Sequence, residues 1–188
     1  MRADEGDRRA ALVARKDAAL QRWPHKSGDN FEAEMANVAR DLDLLARQLD
    51  NGESHPLDRL RAWCAAGEAY LALGQTLGQK FALQCATEAF HYAEAAAARA
   101  ETDARELMQL KHQYGVALLK LAADTNAELA AEAASRLSTA LSLARKHMPV
   151  GVASIKLELF RAEHTVTTLR GARRAAARDE RTREAEAA

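Results

Sequence analysis

The sequence predicts an all-α protein of about seven helices stacked as antiparallel pairs. Three observations lead there. Apolar residues recur at steps of three and four through each long segment, no segment alternates in the two-residue rhythm of a strand, and related residue patterns return after 47–48 positions. Composition agrees, because alanine, leucine, arginine and glutamate lose little on entering a helix, and the chain holds only 3 prolines. The alanine and arginine excess also suits a GC-rich, bacterial genome.

Residues 7–22 form the first helix, ended by Trp23-Pro24, with a polar loop to Asn30. Residues 1–29 are thus an N-terminal helix and loop. Phe31, Met35, Val38, Leu42, Leu45 and Leu49 then mark one seam of the second helix, which Asn51-Gly52 stops. Ser54-His55-Pro56 opens the third. It has two stripes, Leu57, Leu60, Cys64, Gly67 and Leu71 beside Trp63, Ala66, Tyr70 and Leu73, so it must be covered on two sides. Gly74 is expected to end it, with a turn from Gln75 to Gln79.

The fourth helix, about 79–99, carries Leu83, Ala86, Phe90, Ala93 and Ala97. Thr102 or Asp103 caps the fifth, whose stripe is Leu107, Leu110, Tyr114, Ala117 and Leu121. Asp124-Thr125-Asn126 breaks the chain and caps the sixth, which runs through Leu129, Ala133, Leu137, Ala140 and Ala144 to Met148-Pro149. Val152, Ile155, Leu159, Ala162, Val166 and Leu169 define the seventh. Residues 30–171 make up the repeat domain, and 172–188, with nothing larger than alanine to bury, form a frayed or disordered charged tail.

The repeat lies in consecutive helix pairs. Trp63-x-x-Ala66-Gly67-x-x-Tyr70 is followed by Ala86-x-x-x-Phe90-x-x-Ala93; Tyr114-Gly115 is followed by Ala133-x-x-x-Leu137-x-x-Ala140. Gly67 and Gly115 are 48 apart; Ala86 and Ala133, Phe90 and Leu137, and Ala93 and Ala140 are each 47 apart. Antiparallel helices approach closely where a Gly or Ala on one leaves room for a large side chain on the other. The pattern predicts that arrangement twice, with Trp63 and Tyr70 filling the gap toward the neighbouring pair.

These residues resemble the tetratricopeptide family, whose consensus is Trp-x-x-Leu-Gly-x-x-Tyr followed by Ala-x-x-x-Phe-x-x-Ala. The similarity covers about residues 57–144. It departs from the family in its period, 47–48 against 34, and in lacking the proline after the fourth helix, though Pro149 follows the sixth. The resemblance implies an α-solenoid whose first helix of each pair lines a concave groove for a peptide. By register from the glycine, the groove positions are Arg61, Cys64 and Glu68, then Gln109, His112, Val116 and Lys120, and then Phe160, Arg161 and His164. Phe160 lies off its helix's stripe; it is either a core residue, as large apolar side chains usually are, or an exposed contact.

Catalytic and metal chemistry find little support. Glu88-x-x-His91 has the spacing of half a di-iron site, but no second such pair exists, and a solvated helix face is expected. His25, His55, His112, His147 and His164 show no zinc-ligand spacing with one another or with Cys64 and Cys85. No Gly-x-Ser-x-Gly and no phosphate loop occurs. The two cysteines are expected as small buried hydrophobes.

The 27 Lys and Arg balance 27 Asp and Glu, so the chain has no global basic field for nucleic acid. The charged start, Met1 to Asp7, is unlike a signal peptide, and no run reaches the roughly 18 apolar residues of a membrane helix. The expectation is a cytoplasmic, cofactor-free scaffold or chaperone-like adaptor that binds another protein or peptide and is not an enzyme. Two alternatives are nucleic-acid association through Arg170, Arg173, Arg174 and Arg178, and an enzyme with a helical-bundle site bearing no recognisable motif.

Overall fold

A computed structural model describes residues 2–22, 31–52, 54–123, 125–148 and 151–186; the side chains of 2–5, 22 and 182–186 are not described. They form α1 (Arg2–Arg22), α2 (Phe31–Asn51), α3 (Pro56–Leu77), α4 (Lys80–Ala97), α5 (Ala104–Ala122), α6 (Ala127–His147) and α7 (Val152–Glu186), with no strand among them. The protein is an all-α stack. Each helix packs on the next in sequence, most extensively α3 on α4 and α5 on α6. The odd helices also touch one another, α1 with α3, α3 with α5 and α5 with α7. They form one row of a two-row stack, and α2, α4 and α6 form the other.

The glycine pattern explains the close pairs. A Cβ placed on Gly67 of α3 would lie 2.7 Å from Cε1 of Phe90 on α4, and one on Gly115 of α5 would lie 2.6 Å from Cγ of Leu137 on α6. The same contact therefore recurs at the spacing of the repeat. Phe90 and Leu137 are both fully buried, as are Ala86, Ala93, Ala133 and Ala140. Trp63 stacks on Tyr92 of α4 with ring centroids 4.8 Å apart, while Arg47 of α2 lies over its ring at 5.6 Å. Tyr114 reaches back to Phe90 across the pair boundary, at 6.1 Å between centroids. No residue of the stripes is exposed, and most are buried.

Caps follow the sequence closely. His55 caps α3 with Pro56 in its first turn, the Asp103 side chain accepts from Glu106 N–H, and Asn126 accepts from Glu128 and Leu129 N–H. One stop signal does not act as expected. Gly74 continues α3 and is buried, because a Cβ there would lie 2.5 Å from Cγ and Cδ2 of Leu83. It is a third close-approach glycine. The helix ends instead at Gly78, whose φ of 63° is the left-handed cap that glycine adopts without strain.

The first helix starts earlier than expected, at Arg2, and adds Leu12 and Ala19 to the core. Residues 172–186, expected as a frayed or disordered tail, continue α7 as helix. The side chains from 170 to 181 are exposed, so the segment gains from helix propensity rather than from burial. The turn at Trp23-Pro24 with His25, Asp124 and Pro149 lie outside the described residues.

Gly67→Leu and Gly115→Leu should each cost about 1–3 kcal/mol by overpacking. Gly171 sits on α7 with nothing within 4 Å of an added Cβ, so Gly171→Ala should instead stabilise by up to about 1 kcal/mol. Urea unfolding of the three variants separates the two behaviours; a stabilised Gly67→Leu would contradict the packing.

Candidate protein-binding face

The expected groove residues all fall on the odd row, α3, α5 and α7, but the row divides into a closed half and an open half. At the α1 end, Arg9 pairs with Asp58 of α3 at 2.8 Å. The Lys16 ammonium, 6% exposed, donates to Glu68 of α3 and lies 3.5 Å from Asp17. Glu68 is therefore engaged by α1. Arg61 spans α3 to α5 and pairs with Glu106 at 2.8 Å. Cys64 sits half-buried between these pairs, its thiol pushed up to about 12 by burial and then by the carboxylates of Glu68 and Glu106. It stays protonated at neutral pH and is a poor nucleophile.

Past Arg61 the row opens. Gln109 and Lys120 are exposed and Val116 is half-buried. His112 turns toward α7, where Glu158 faces it. His112 Nε2 and Glu158 Oε2 are both buried without a hydrogen bond, while Glu158 Oε1 accepts from Arg161 at 2.9 Å. Burial pulls the His112 pKa below its usual value, and the Glu158 carboxylate opposes that shift without cancelling it.

Of the two positions open to Phe160, core or exposed contact, it takes the exposed one: it is 65% exposed and its ring stacks on His164 at 6.2 Å. The reason is the phase of α7. Ile155, Ala162 and Thr165 face the stack, and Phe160 lies on the far side with Leu157, which is 51% exposed. Phe160, Arg161 and His164 share the exposed part of α7. They do not converge with Arg61 and Glu68, which lie at the other end of the row.

The sequence also left unread a charge cluster linking α4, α5 and α6. Glu94 of α4 accepts from Lys111 of α5 and lies 3.0 Å from Nε of Arg136 on α6, whose guanidinium covers the Tyr114 ring at 5.1 Å. The i,i+4 pair Glu132–Arg136 was a local signal for part of it; Glu94, 42 positions from Arg136, was not. Glu88 and His91 stand on a solvated face of α4, and among the described residues no group of three or more His, Cys, Asp or Glu side chains could hold a metal ion. No described helix is long and apolar enough to cross a membrane.

The chain is a two-row stack of antiparallel helices. No family model and no curated protein matches the chain. Among solved structures, the DHF79 filament is 22% identical, with 96% of this chain and 99% of that chain covered and a TM-score of 0.49. The de novo designed helical repeat protein DHR64 is 22% identical, with 98% and 89% covered and a TM-score of 0.43. Both likenesses are loose, and the chain's own packing defines the fold.

Glu68→Gln should destabilise by about 1–3 kcal/mol, because it removes the main partner of a buried ammonium. The loss should be visible as a lower thermal midpoint, whereas an unchanged midpoint would make the pair a surface contact. His112 should make stability depend on pH. Its folded pKa lies below the ordinary 6.5, so its contribution is complete above that value and is lost as pH falls through the folded pKa. Urea unfolding at about pH 7.5 and about pH 5.5 should show a smaller acid loss in His112→Gln than in the parent.

Proposed function

We propose that the chain is a protein-binding scaffold, a tetratricopeptide-like adaptor of the cytoplasm that holds a segment of another polypeptide and performs no catalytic step. The segment binds at the open, C-terminal end of the odd row, where Phe160, Arg161 and His164 stand exposed on α7 and Gln109 and Lys120 stand exposed on α5. The observation that supports this reading is the exposure of Phe160 at 65% and Leu157 at 51% on one helix. Covering a side chain of that size is worth about 1.5–3 kcal/mol, which a partner would gain on binding. The α1 end supports the same division of labour: its charges already satisfy one another.

The experiment is site-specific photocrosslinking in the host from positions 160 and 120, with position 8 on α1 as control. Binding of the identified partner is then measured with purified proteins. Phe160→Asp combined with Lys120→Glu and Arg161→Glu should abolish capture while leaving the fold intact. If no polypeptide crosslinks at 160 or 120, the scaffold reading fails. Salt-sensitive DNA or RNA binding that disappears with residues 172–188 would favour the arginine run of α7 as the functional feature instead.

A further inference from the structure

We propose that the outer face of α7 docks an amphipathic helix whose flanks carry carboxylates. This rests on the scaffold reading and adds to it both the surface and the chemistry of the partner. The seam runs straight along the helix from Ala153 through Leu157, Phe160, His164 and Thr168 to Ala175, at steps of three, four or seven that keep it on one side. All six are exposed, as is Gly171 between the last two, where an added Cβ would meet nothing within 4 Å. The seam carries no Asp, Glu, Lys or Arg and spans about 33 Å at 1.5 Å per residue, room for about six turns of a second helix.

Its phase sets it apart from the concave row. Ile155, Ala162 and Thr165 face the stack, and the seam lies opposite them. α7 packs on α6 and touches α5 through its inner side.

Charge selects the occupant. Within about a third of a turn on either side lie the exposed Lys156, Arg161, Arg170 and Arg174 against two carboxylates, the exposed Glu163 and the half-buried Glu158. Glu158 pairs with Arg161 at 2.9 Å, which leaves an excess of positive charge carried by Lys156, Arg170 and Arg174. A second copy of α7 would bring the same cations against these. A helix bearing Glu or Asp beside its apolar stripe meets them with the opposite sign, and exclusion of water along the seam strengthens that attraction. Small residues at Ala153, Gly171 and Ala175 permit close approach at both ends, while Leu157 and Phe160 supply the knobs between them.

The test titrates the full-length protein against two fluorescent helical peptides of about six turns that share a Leu/Ala seam, one flanked by Glu and the other by Lys. The Glu peptide should bind, weaken on raising the salt, and lose about tenfold or more in affinity with Phe160→Asp. Phe81→Asp, on the exposed start of α4, should leave it unchanged. The Lys peptide should bind at least about tenfold more weakly. Equal affinity for the two peptides, or indifference to Phe160→Asp, would overturn the proposal. So would Phe160-dependent dimerisation in sedimentation, or Phe160-dependent binding to phosphatidylserine vesicles by a protein that ignores the Glu peptide. A partner crosslinked at position 160 through an extended or basic segment would keep the scaffold reading and reject this one.

Discussion

Two helices lie as close as α3 and α4 do only where one of them lacks a side chain, and that constraint organises the molecule. Gly67 receives the Phe90 ring, Gly74 receives Leu83, and Gly115 receives Leu137. Because each large side chain fits one gap, these contacts fix the register of each pair along its axis. Once α3/α4 and α5/α6 are registered, Phe90 lies within reach of Tyr114, and the second pair docks on the first through that aromatic contact. Alanine at 86, 93, 133 and 140 keeps the rest of each interface thin enough for the approach to continue.

Electrostatics then assigns different roles to the two ends. Lys16 and Glu68, Arg9 and Asp58, and Arg61 and Glu106 tie α1, α3 and α5 together along the odd row. The two more exposed pairs, Arg9–Asp58 and Arg61–Glu106, contribute little stability, whereas Glu68 satisfies the buried Lys16 ammonium; all three occupy charges that a partner would otherwise use. The terminal helix is the reverse case. Its inner side carries Ile155 and Ala162, while its outer side presents Phe160 and Leu157 beside a margin where Lys and Arg outnumber Glu. Asymmetry of this kind separates a closed end from an open end within one stack.

The stack was legible because its decisive contacts involve unusual residue types at repeated spacing. Gly67 with Phe90 and Gly115 with Leu137 are visible in the sequence once the two segments are aligned. Gly74 was misread because a glycine near a helix end looks like a stop, and only the position of Leu83 shows it to be a contact; Gly78, four residues on, carries the positive φ. Lys16 hid the buried face of α1, since a lysine between Leu12 and Ala19 breaks an apolar stripe unless a partner such as Glu68 is known. For Phe160 the two signals conflicted: size favoured the core, whereas its place off the stripe of α7 pointed outward, and the helix phase decided. Cross-helix ion pairs such as Glu94–Arg136 leave no local trace, because attraction between charges does not depend on a fixed sequence interval.

The close-approach account is tested most directly by a double-mutant cycle between Gly67→Ala and Phe90→Leu, followed by urea unfolding. If the missing side chain at 67 exists to admit the ring at 90, the methyl should cost much less once the ring is gone. The two changes should then be coupled by more than about 0.5 kcal/mol in the direction of rescue. Additive effects, within about 0.5 kcal/mol, would contradict the claim that this contact sets the register of the pair.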